Sequence, residues 1–94
     1  MNEVDDKFFE RADEHIHLSN DQLSNVGRGK VSASMLYSVA RFNAWVSACD
    51  FHTGKEMEAA KDEILEYFVK EYKKMLKENL EDYIVNFDGY MNNK

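Results

Sequence analysis

The chain has 94 residues, and a chain of that size buries roughly 60 to 65% of its unfolded surface around one core, which argues against two independent domains. With 44% hydrophobic and 13% aromatic residues it is too apolar for intrinsic disorder. Its net charge of −6 opposes the phosphate backbone, so nucleic acid is disfavoured as a partner.

Taken in chain order, Val4, Phe8, Ala12, Ile16, Leu23 and Val26 form a one-sided apolar stripe that predicts helix one over about residues 3–26. Asn2 and Asp5 suit its start, where acids meet the positive end of the helix dipole. Ser19-x-x-Gln22 also has the form of a capping box, which could restart the helix there; the stripe favours a continuous one. The acidic start lacks the basic and then apolar order of a secretory segment, so the expected location is the cytoplasm.

Gly27-Arg28-Gly29 then punctuates the chain, because glycine enters the left-handed region cheaply and often stands just past a helix end. Helix two is predicted over about 32–51, with Ser32 as its N-cap. Val31 to Cys49 is apolar or small almost all round and carries a single charge, Arg41. A helix of that kind calls for cover by other helices. Its length approaches a membrane span, but Arg41, Asn43, Ser32, Ser34, Ser38 and Ser47 make insertion costly, so no membrane association is expected.

On a helical wheel, helix two divides into three stripes. Met35, Val39, Phe42, Val46 and Cys49 make one, and Leu36, Ala40, Asn43, Ser47 and Phe51 the next; each suits one neighbouring helix. The third, with Tyr37, Arg41 and Trp45 among small residues, is semi-polar and aromatic, neither an ordinary solvent face nor an ordinary core.

Thr53-x-x-Glu56 is a capping box that opens helix three. Its apolar positions, from Met57 through Ile64, Phe68, Tyr72 and Leu76 to Phe87, average slightly more than 3.6 residues apart, which argues against a left-handed coiled-coil seam. No proline interrupts it, so it is predicted to run over about 54–87 and to outreach helix two. Its far end, with Tyr83, Ile84, Phe87 and Tyr90, needs cover from helix one or from a second copy of the chain. The architecture expected is all-α: a single helical domain over 1–94, a three-helix antiparallel bundle with helix two central and a long C-terminal helix.

Four constellations have chemistry to offer. Glu14-x-x-His17 has the spacing that lets a carboxylate and an imidazole share a metal in helical bundles, though such sites use the motif twice and it occurs here once; a solvated acidic face is the plainer reading. Lys70, Lys73, Lys74 and Lys77 form a basic stripe bracketed by Glu63, Glu66 and Glu81, so i, i+4 surface pairs account for it. Tyr37, Arg41 and Trp45 lie on one line, where a guanidinium stacked between two rings can pair with an acid of another helix, anchor an interface, or hold a small anionic ligand. Asn43 stands on the inward side of helix two, where a buried amide sets register. The lone Cys49 permits no intrachain disulfide and reads as a small buried hydrophobe.

At Gly29-Lys30-Val31-Ser32, Ala40-Arg41-Phe42-Asn43-Ala44 and Tyr83 to Phe87 the chain resembles a family of short bacterial proteins catalogued as a domain of unknown function. The resemblance runs from Phe8 to Tyr90. It brings no activity, cofactor or catalytic residue with it, and implies a small soluble bacterial protein that forms a complete domain. The residues thus point to a non-enzymatic interaction module that self-associates or binds a protein partner and needs no cofactor. The alternative is a metal-binding helical-bundle protein or enzyme that uses Glu14 and His17.

Overall fold

The structure, a computed structural model, describes residues 4–92. Every regular element among them is helical, in the order α1 (Phe8–Gln22), α2 (Arg28–Ala48), α3 (Gly54–Ala59) and α4 (Lys61–Val85), closed by a π turn over Asp88–Asn92. The chain divides into two compact units, Met1–Val46 and Ser47–Lys94. The predicted helices are present in kind, but their bounds shift for local reasons.

In the first unit, α1 begins five residues later than the sequence suggests. Asp5 holds the chain in a turn: its carboxylate accepts the Lys7 N–H at 2.8 Å and its carbonyl accepts the Phe8 N–H at 3.1 Å. A short polar side chain that binds nearby backbone competes with helix in this way. The guanidinium of Arg11 grips the same carboxylate at 2.8 and 3.2 Å. The expected cap at Asn2 lies outside the described residues. The helix passes through Ser19 without a break and winds down through i→i−3 bonds, Leu23 to Asn20 and Asn25 to Gln22. Phe8, Ala12 and Ser19 are its half-buried positions, while Ile16, Leu23 and Val26 of the predicted stripe are exposed.

Ser32 does not cap α2. The helix has already started at Arg28, because the Gly27 carbonyl accepts from Lys30 at 3.1 Å and Val31 at 3.2 Å. No glycine among the described residues takes a positive φ, so Gly27 serves as a helix start and not as a left-handed terminator. Inside α2 two serines bond to their own helix, the Ser34 hydroxyl donating to the Val31 carbonyl at 3.1 Å and the Ser38 hydroxyl to the Ser34 carbonyl at 2.9 Å. The Ser19 hydroxyl of α1 reaches the Met35 sulfur of α2 at 3.7 Å.

In the second unit the capping box forms as predicted. Thr53 Oγ1 accepts the Glu56 N–H at 3.1 Å, and the Glu56 carboxylate reaches back to the His52 N–H at 3.1 Å. The single long helix expected after it is interrupted at Ala60, whose φ of −97° and ψ of 0° tighten the chain into an i→i−3 bond to Met57. Alanine is the best helix former, so nothing in the sequence marks this break. Met57, Ala60, Ile64, Phe68 and Glu71 are half-buried, and the described residues beyond Glu71 are exposed.

Candidate interaction surfaces

Among the described residues one apolar side chain is buried, Val31 at 5% exposure. The covered positions of α2 are Val31, Met35, Asn43 and Ser47, a line of i+4 steps that skips Val39 and takes members of both predicted inward stripes. Half of that line is polar. The large side chains of the same helix lie off it: Tyr37 is 68% exposed, and Phe42 and Trp45 are 62% exposed each.

The three residues singled out on the semi-polar stripe are placed on one open face of α2, and Arg41 is exposed with them. Among the described residues no carboxylate lies within ion-pair distance of Arg41. The ring that meets Trp45 is Phe42, at 5.6 Å between centroids and tilted by 39°. Phe42 is thus exposed beside Trp45, whereas the wheel assigns it to an inward stripe. The signal for it is the i, i+3 spacing to Trp45, which places neighbours on a helix surface. A face made of Tyr37, Arg41, Phe42 and Trp45 presents the residue types that dominate protein interfaces.

Asn43 is half-buried and has a partner, which suits the inward placement read from the wheel. Cys49 departs from expectation: it follows the last residue of α2 and is exposed, since the covered line passes through Ser47 instead.

On α4, Lys70, Lys73, Lys74 and Lys77 line a shallow hollow of about 360 Å³ together with Glu78 and Glu81, so the lysines are bracketed by acids on their own helix. At the far end the rings of Tyr83 and Tyr90 meet at 4.6 Å between centroids, tilted by 45°, and the Tyr90 hydroxyl donates to Asp82 at 2.9 Å. That bond raises the Tyr90 pKa, because losing the phenolic proton would set two anions side by side. Glu14 and His17 are exposed, and no three of the described His, Cys, Asp and Glu side chains converge where a metal could be held. No helix among the described residues is long and apolar enough to cross a membrane.

Compared with known proteins, the chain finds no match among curated ones. It is similar to the protein NB7890A from Shewanella sp, known from an NMR structure, with 41% identity, 99% of each chain covered and a TM-score of 0.78. The family model described as "Protein of unknown function (DUF3144)" matches residues 8–84, and the chain belongs to that family.

Proposed function

We propose that this protein is a non-enzymatic interaction module that covers its helix faces with protein, a second copy of itself first and a different protein otherwise. The observation that carries the reading is the near absence of an apolar interior: among the described residues Val31 is the one buried apolar side chain, while Tyr37, Phe42 and Trp45 of the most apolar helix stay in water. Folding must offset backbone and side-chain entropy through buried apolar area. A chain that leaves its largest side chains wet gains that area by association, as obligate dimers do.

In this reading residues 1–94 act as one cytoplasmic bacterial domain, a three-helix antiparallel bundle in which α2 is central and α3 with α4 counts as the long C-terminal helix. The family match over residues 8–84 supports a single domain, because it runs through both compact units.

The test is the mass in solution by light scattering down a dilution series. The expected mass is twice 11.0 kDa, persisting on dilution, or that of a stoichiometric complex with a captured protein. Trp45→Ala is expected to weaken the association at the α2 face. A chain that remains at 11.0 kDa, melts cooperatively and captures no protein from its own cell extract would overturn the reading.

A further inference from the structure

The joint between α3 and α4 is made of residues that favour a continuous helix. From Lys55 to Glu63 the chain holds only strong helix formers apart from Asp62, with neither glycine nor proline. Sharp helix breaks ordinarily fall at glycine or proline, or where a group inserts into the ladder. Here the break falls at Ala60, with φ of −97° and ψ of 0°, and its N–H bonds to the Met57 carbonyl at 3.0 Å. The next three N–H groups, those of Lys61, Asp62 and Glu63, have no backbone acceptor among the described residues, and the i→i−4 ladder resumes with Ile64 to Ala60 at 3.0 Å. Ala60 also caps α4 without a side-chain bond, where serine, threonine or an acid would serve better.

We infer that this joint is a two-state hinge, broken at Ala60 in the structure and able to fuse α3 and α4 into one helix over 54–85. Fusion gives the N–H groups of Lys61, Asp62 and Glu63 the carbonyls of Met57, Glu58 and Ala59 as acceptors. It also removes the need for a cap at Ala60. The broken form has its own support in Asp62 and Glu63, which occupy the first turn of α4, where acids meet the positive end of the helix dipole. The two forms thus draw on different local interactions, which lets two arrangements of one sequence lie close in free energy.

The burial pattern fits both forms. Met57, Ala60, Ile64, Phe68 and Glu71 are the half-buried positions of this stretch. At 100° per residue on one continuous helix they fall within an arc of about 80°. The same side chains therefore share a face after fusion, and the covered side is kept. What changes is the direction in which α3 leaves α4, and with it the position of the capping box at Thr53 and of the turn that carries Cys49 and His52. A tight i→i−3 turn inside a helical stretch is the usual mark of such a hinge. The hinge lies within the second unit and stands whether or not the chain self-associates.

The test uses the full chain, with NMR relaxation dispersion, amide hydrogen exchange and one spin-label distance. In the wild type, microsecond-to-millisecond dispersion is expected at the amides of residues 57–63. Asp62→Ala with Glu63→Ala removes the acids that favour a helix start, and is expected to slow solvent exchange of the Lys61 amide by about threefold or more. Ala60→Ser supplies a side-chain acceptor at the helix start and is expected to lower the fused population by about threefold or more, so that the dispersion shrinks. Nitroxides at Lys55→Cys and Lys70→Cys in a Cys49→Ser background read the two forms directly, since fusion sets those backbone positions about 23 Å apart. A distance population at that separation is expected to grow in the double alanine variant and to vanish in Ala60→Ser. A single distance in all three chains with no dispersion at 57–63, or a Lys61 amide protected like a helix interior already in the wild type, would overturn the hinge.

Discussion

Helices α2 and α4 differ in almost every property that a sequence displays, yet they are covered in the same way. α2 has one charge between Val31 and Cys49, and α4 has charges along its whole length. In α2 the covered line is Val31, Met35, Asn43 and Ser47; in α4 the covered residues are Ile64, Phe68 and Glu71. Both lines are narrow and include polar members, and in both helices several large rings lie elsewhere. Overall hydrophobicity therefore says how much cover a helix needs, while the line that is covered is chosen by geometry, where a neighbour can approach closely. Asn43 and Ser47 allow close approach better than Phe42 and Trp45 do.

The strongest way to break this comparison is to strike the covered line of α2. Val31→Asp places an unpaired carboxylate at the one buried apolar position among the described residues, and a loss of about 3 kcal/mol or more in chemical denaturation is expected. A much smaller loss would mean that Val31 is not a core position. A finer contrast sets Val31→Ala against Phe42→Ala at one low protein concentration. The first deletes two buried methyl groups and should cost about 1–2 kcal/mol. The second costs about 3–5 kcal/mol in a packed core, but should cost less than Val31→Ala here because Phe42 is mostly in water. The reverse order would show that the aromatic face is the covered one.

In the second unit, Thr53→Ala removes the side-chain acceptor of the Glu56 N–H and is expected to cost about 1 kcal/mol, with fraying of α3 visible in hydrogen exchange. The smallest effect belongs to the turn before α1. The hydrogen bond from Arg11 and then that from the Lys7 N–H hold the Asp5 carboxyl below its ordinary pKa. A depressed carboxylate pKa contributes stability that is present above the unfolded value and lost as the pH falls through the folded one. Arg11→Ala should therefore bring the Asp5 pKa up toward the ordinary carboxylate range in an NMR titration and flatten the acid limb of stability. An unchanged Asp5 titration would show that the pair does not form in solution.

Legibility in the sequence followed the range of the interaction. The capping box at Thr53 was legible because a threonine and a glutamate three residues apart satisfy backbone donors whatever else the chain does. The start of α1 was missed because Asp5 can serve a turn as well as a helix end, and the choice goes to the turn once Arg11 closes on it. Ser32 reads as a cap because a serine shortly after Gly27 and Gly29 fits one, whereas the Gly27 carbonyl begins the helix, whose first residue Arg28 stands four residues earlier. The break at Ala60 had no residue to announce it. On α2 the wheel finds the exposed Tyr37, Arg41 and Trp45 by their common line, but sends Phe42 inward because apolar residues are inward by default.

Local chemistry alone determined that this chain is helical, where two of its turns fall, that it crosses no membrane through α2, and that its most apolar helix carries an aromatic, semi-polar stripe. Those properties depend on side chains within a few residues of one another. Tertiary structure decided which line of each helix is covered, that Cys49 lies outside, and that Val31 is the one buried apolar residue among those described. Those outcomes depend on how closely elements distant in sequence can approach, which hydropathy and periodicity do not encode.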